Sequence, residues 1–249
     1  MEETRSQPTR RCQHCGRELN PLVLPALFGG KEPHVVGFEP CHCPDAERER
    51  IERMRDEDER REREEAKRRR KGYERAGIKP RFMEAESPAA AGIMDGVAKG
   101  SGAYIFGPVG TGKSHLASAV ARMAVDDGMR VRVTDMPGII ARLKGTFGTQ
   151  ASEEDVLAGL SRCGLLVIDD LGKETPTDWT LTQVFRVIND RYETMRPVVV
   201  TSQYDLKALG GRLSRNGDVD TALAIVSRLS EMCVKHEMSG ADRRLHGQG

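Results

Sequence analysis

Eight consecutive residues, Gly107-Pro108-Val109-Gly110-Thr111-Gly112-Lys113-Ser114, follow the pattern GxxxxGK[ST]. A backbone needs such glycines to wrap phosphates with its N–H groups turned inward, and a helix opening there adds its positive dipole end. Lys113 reaches the β- and γ-phosphates, and the Ser114 hydroxyl is a ligand for Mg2+. About 50 residues on, Leu165-Leu166-Val167-Ile168 runs into Asp169-Asp170. An apolar run ending in acids places carboxylates at the edge of a sheet, Asp169 for the Mg2+ shell and Asp170 to orient or deprotonate an attacking water. Val200-Thr201-Ser202-Gln203 ends the next apolar run, so Gln203 can reach the γ-phosphate or that water. Arg228 is the candidate for an arginine offered to a neighbouring subunit's γ-phosphate, with Arg212 and Arg215 as rivals.

A second chemistry is carried by sulfur. Cys12 and Cys15 form a CxxC, and Cys41 and Cys43 a CxC. Four thiolates so spaced can close a tetrahedral Zn2+ site of the structural kind, with His14, His34 or His42 able to replace one cysteine. In a short segment with few apolar residues, the metal would supply the folding energy. The other two cysteines, Cys163 and Cys233, read as small buried apolar residues.

The elements that must position these groups follow from apolar runs and helical stretches. Strands are expected at 103–106, 131–134, 165–168, 197–201 and 231–238. Helices are expected from the glycine-rich loop to about 125, then at 137–147, 152–162, 178–195 and 219–230. The run at 165–168 has no polar interruption, as in a strand covered on both faces. Alternating strands and helices give an α/β fold with a parallel sheet and right-handed crossovers. Three regions differ in composition: the cysteine-bearing 1–44, a charged run 45–71, and 72–249. In 45–71 only Ala46, Ile51, Met54 and Ala66 are uncharged, and opposite charges recur three or four apart. That is a solvated helix, with Gly72 as its expected stop.

Composition excludes some classes. The 249 residues carry a formal net charge of +1, so nucleic-acid binding has no global electrostatic basis and would need a local patch such as 67–71. No run approaches the roughly 18 apolar residues of a membrane span, and the opening MEETRSQPTRR lacks an apolar signal core. The expected location is cytoplasmic, with no membrane partner.

Taken together, these residues resemble the DnaC/DnaI-type helicase loaders and the related IstB transposition ATPases. The likeness covers about 170 residues: Ala76-Gly77-Ile78-Lys79-Pro80-Arg81-Phe82, residues 107–122 and 165–174, Trp179, residues 188–193 and 198–202. The resemblance implies an AAA+ fold with strand order 5-1-4-3-2, ATP and Mg2+ as cofactors, and self-association through the Arg228 region. It also implies a hexameric replicative helicase and single-stranded DNA as partners, the zinc module gripping the helicase. IstB proteins usually lack such a module, so residues 1–44 favour the loader over a transposition helper that binds duplex DNA. A nucleotide-binding adaptor without turnover is the third reading. Two departures matter. Gln203 stands where the family usually has Asn, and Asp170 replaces the usual glutamate, which implies slow hydrolysis. The family generally lacks a C-terminal helical lid, and none is expected here.

Overall fold

The computed structural model describes residues 9–24, 34–146, 148, 152–173, 177–216 and 218–242, which fall into two compact units divided between Lys67 and Arg68. Phe147 and Glu174, and the side chain of His34, lie outside the described residues. In the first unit, β1 (Arg10–Arg11) and β2 (Glu18–Leu19) pair antiparallel across the CxxC turn. A second antiparallel pair, β3 (Pro21–Leu24) and β4 (His34–Phe38), leads to Cys41 and Cys43. Neither hairpin was expected from the sequence.

Helix α1 (Pro44–Ala76) then begins. Its charges pair along the helix, as in Arg53–Glu49 at 2.8 Å and Arg63–Glu59 at 3.2 Å. Such exposed pairs are screened by solvent and each contributes little to stability. Gly72 does not stop the helix as the sequence suggested. Tyr73 and Ala76 are buried beyond it, and the Tyr73 hydroxyl donates to the Asp126 carboxylate at 2.8 Å. This packing outweighs the roughly 1 kcal/mol that a helical glycine costs. The helix ends instead at Gly77, whose φ of +89° suits glycine and whose Cβ, if present, would lie 2.6 Å from the Val133 carbonyl.

The second unit continues with α2 (Pro88–Ala98), β5 (Gly102–Phe106) and α3 (Lys113–Asp126). After these come β6 (Val131–Asp135), α4 (Met136–Lys144), α5 (Glu153–Ser161) and β7 (Leu165–Leu171). The chain then forms α6 (Asp178–Glu193), β8 (Val198–Ser202), α7 (Leu206–Leu213), α8 (Val219–Met232) and β9 (Cys233–Glu237). Helices α2 and α7 were not foreseen. The five strands are parallel in the order β6-β7-β8-β5-β9. Numbered within this unit and read from the other edge, that is 5-1-4-3-2, the AAA+ order.

Strand side chains alternate between two cores, as a pleat with period two requires. Leu166, Ile168, Val198 and Val200 face one core with α4 to α8, while Leu165, Val167 and Val199 face another with α2 and α3. Each fully buried aliphatic side chain contributes about 1.5–3 kcal/mol. Cys163 and Cys233 are buried as expected. Arg191 is fully covered and donates to the carbonyls of Leu160, Ser161, Cys163 and Pro197. It thereby ties the turn before β7 to the turn before β8.

Candidate functional site

The glycine-rich loop lies between β5 and α3, at the carboxyl edge of the sheet. Helix α3 starts at Lys113 from an N-cap glycine, Gly112, that offers no side-chain acceptor. By contrast α4, α6 and α7 are capped by the side chains of Asp135, Thr177 and Asp205. Gly112 thus supplies no side-chain cap, and the positive end of the α3 dipole favours an anion. Lys113 folds back over the loop and donates to the carbonyls of Gly107 (2.8 Å) and Pro108 (2.6 Å). The Thr111 hydroxyl donates to the Pro108 carbonyl at 3.0 Å, tightening the loop, and Val109 is exposed at its tip. Gly110, at φ +81°, can carry no side chain, because the Asp242 carboxylate fills the space a Cβ would need. The segment following β9 thus passes over the loop, starting with Met238 N–H donating to the Phe106 carbonyl at 2.7 Å.

Beside the loop, the Ser114 hydroxyl donates to Asp169 Oδ1 at 2.8 Å. The two residues that would hold a Mg2+ are thus already in contact, and the ion would supply charge neutralisation for a phosphate. The residue holding Asp169 in place is one that the sequence reading set at the end of a strand without giving it a role. Thr201, fully buried at the end of β8, donates to the same Oδ1 at 2.7 Å and accepts from the Asp170 N–H at 2.8 Å. The signal for it was present: a polar side chain closing an otherwise apolar strand beside Asp169.

Between Ile168 and Leu171 the pairing of β7 with β8 slips, and Asp170 stands at φ +57° within the slip. A bulge of this kind re-aims a side chain. The Asp170 carboxylate is one-third exposed and 3.7 Å from Lys173 Nζ. Gln203 follows β8 directly and is half-buried. Arg228 lies on α8, away from this loop in sequence and engaged with α6. Its Nε donates to Asn189 Oδ1 at 2.6 Å, and its guanidinium stacks 4.8 Å from the Phe185 ring centre and 5.5 Å from that of Tyr192. Of its rivals, Arg212 donates to the Gly172 and Lys173 carbonyls.

The segment after α1 closes the other side. Asp135, ending β6, is the register partner of Asp169 on β7. Lys79 Nζ lies 3.0 Å from Asp135 Oδ2 and 3.9 Å from Asp169 Oδ2. Partial burial pulls the Lys79 pKa down, but Asp135, then Asp169 and Asp170, outweigh it and hold it above the usual lysine value. Phe82 meets the His115 ring edge-on.

In the first unit the four cysteines converge. Cys12 and Cys43 sulfurs are 3.8 Å apart, Cys15 and Cys41 sulfurs 3.5 Å, and all four lie within 4.8 Å of one another. A tetrahedron with Zn–S bonds of about 2.3 Å has edges of about 3.8 Å, so the donor set fits zinc. Backbone hydrogen bonds from Cys15 and His14 lower the Cys12 pKa to about 6, while Cys41, against a lowering backbone hydrogen bond from Cys43, is raised to about 11 by its neighbouring thiols and burial. His14 is turned elsewhere, with Nε2 2.6 Å from Glu49.

A phosphate loop on a five-stranded parallel sheet in this order, with an acid at the end of β7, one strand removed from the strand that carries the loop, defines an AAA+ P-loop protein. The family model for IstB-like ATP binding proteins matches residues 95–248, and the chain belongs to that family. A putative insertion-sequence ATP-binding protein of Sinorhizobium fredii is 32% identical over 123 residues, 49% of this chain and 41% of the relative. The replicative helicase loader DnaC of Escherichia coli K12 is 32% identical over 116 residues, 44% of this chain and 47% of the relative. The chain therefore spans less than half the length of either. Among solved structures, DnaI superposes with a TM-score of 0.56 at 20% identity, over 65% of this chain and 95% of that one. No helix among the described residues is long and apolar enough to cross a membrane.

Proposed function

We propose that this chain is an ATP-dependent loader of a hexameric replicative helicase onto single-stranded DNA, acting in the cytoplasm. The observation that carries the reading is the four-cysteine cluster standing ahead of an ATP-binding unit of the IstB-like family. A zinc-closed module at residues 1–44 suits a client grip, the charged helix from 45 a spacer, and the rest of the chain the ATPase. In this reading the loop 107–114 and α3 hold the triphosphate. Ser114 and Asp169 hold Mg2+, which supplies charge neutralisation, and Asp170 faces the attacking water. Gln203 senses the γ-phosphate, and Arg228 leaves its aromatic seat to reach a neighbouring subunit's nucleotide. The similarity to DnaC loaders supports the client assignment.

The test is capture with the full-length chain, zinc-loaded, of a hexameric helicase from the source cell. Recovery that is lost on chelation or in Cys12→Ser supports the loader. Tight duplex-DNA binding with no helicase contact would instead favour a transposition helper, the reading supported by the insertion-sequence relative. Nucleotide binding without any hydrolysis, even with DNA and helicase present, would leave an adaptor.

A further inference from the structure

The lysine of the segment joining α1 to the ATP-binding unit has no place in the reading above, yet it sits on the metal carboxylate. Asp169 commits Oδ1 to the Ser114 and Thr201 hydroxyls, and its Oδ2 faces Lys79 Nζ at 3.9 Å. Asp135 likewise commits one oxygen, capping α4 through the Gly138 N–H at 2.9 Å, and gives the other to Lys79 at 3.0 Å. Lys79 is fixed from below. Its neighbour Gly77 lies against the Val133 carbonyl of β6 and Ile78 is buried, and Phe82 lines the same small cleft as Lys79, Ser114 and Asp169. Three carboxylates, Asp135, Asp169 and Asp170, therefore share one edge of the sheet. Lys79 compensates the first two, and Lys173 lies 3.7 Å from the third.

We propose that Lys79 is a positioning residue for the metal: its ammonium compensates Asp169 and Asp135 while the site is empty, and so makes divalent-cation binding depend on nucleotide. This rests on the reading that Ser114 and Asp169 hold the nucleotide's Mg2+. Two carboxylates side by side attract a free divalent ion, and a fixed ammonium beside them repels it. Only a ligand bringing several negative charges, a triphosphate, restores the attraction. The site then fills with the metal–nucleotide complex rather than with the ion alone.

The experiment uses full-length, zinc-loaded, nucleotide-free protein and Mn2+ as the probe, its binding followed by electron paramagnetic resonance. Wild type takes up Mn2+ weakly. In Lys79→Ala the affinity rises about tenfold, since a charge within 4 Å is removed from a partly covered site. Lys79→Arg, which keeps the charge, behaves as wild type, and Lys79→Gln behaves as Lys79→Ala. Adding Asp169→Asn to Lys79→Ala abolishes the gain, placing the ion at this carboxylate. Equal Mn2+ affinity in wild type and Lys79→Ala overturns the proposal, as does a gain that survives Asp169→Asn. Because the assay contains no nucleotide, it is separable from the ATP reading, which fails if wild type does not bind Mg2+–ATP.

Discussion

Replacing Thr201 by valine probes how the two acids are held. The substitution keeps the shape but removes one hydroxyl that makes two buried hydrogen bonds, to Asp169 Oδ1 and from the Asp170 N–H. Asp169 keeps the Ser114 hydroxyl on that oxygen, so it loses part of its support. The Asp170 N–H, within a slipped stretch of β7, loses its acceptor. A hydrogen bond to a charged group contributes about 1.5–3 kcal/mol, and a stranded buried donor costs about 1–3 kcal/mol. With partial relaxation at the slip, Thr201→Val should destabilise the second unit by about 2–4 kcal/mol. At roughly 2–4 °C per kcal/mol for a unit of this size, the midpoint falls by about 5–15 °C. The assay is urea unfolding followed by tryptophan fluorescence. The chain has one tryptophan, Trp179 on α6, so the signal reports this unit alone. Thr201→Ser keeps both hydrogen bonds and loses a methyl group, at about 1 kcal/mol. A Thr201→Val loss below about 0.5 kcal/mol, or one no larger than that of Thr201→Ser, would refute the role given to the hydroxyl.

Other outcomes follow from the same geometry. Lys113→Ala should abolish nucleotide binding, measured with a fluorescent ATP analogue; a variant that still binds ATP tightly removes the phosphate-site argument. Arg228→Ala should retain nucleotide binding but lose assembly-stimulated hydrolysis, and an equal loss of monomeric turnover would show that Arg228 acts within its own subunit. Arg191→Lys should cost more than about 3 kcal/mol in urea unfolding, because an ammonium cannot serve four carbonyls spread over two turns. Stability close to wild type would mean that water replaces the lost donors.

The phosphate loop and Asp169 were legible because their chemistry demands a fixed order of residue types and because both faces of β7 are buried. Sheet order came from the resemblance rather than from strand spacing. Lys79 and Thr201 stood only inside longer quoted stretches, and Asp135 not at all, because each is an ordinary polar residue made specific only by contacts distant in sequence. The end of α1 was misplaced for a similar reason. Gly72 is a local stop signal, whereas Tyr73 and its partner Asp126 act from 53 residues apart. The cysteine spacing announced the four sulfurs that the structure brings within 4.8 Å of one another. The two short hairpins that carry it have too few residues to show a periodicity.

The strand that delivers the phosphate loop is flanked by the last two strands of the sheet to be synthesised. Ala103 pairs with Val199 on one side, and Gly102 with Cys233 on the other. A nascent chain emerging from the ribosome therefore holds its loop sequence long before either neighbour exists. Contacts so distant in sequence close slowly. Until β9 docks, β5 is an open edge able to pair with a foreign strand. Expression yield should thus depend on how fast the stretch from the end of β8 to the end of β9 is translated, and slowing it should increase the insoluble fraction.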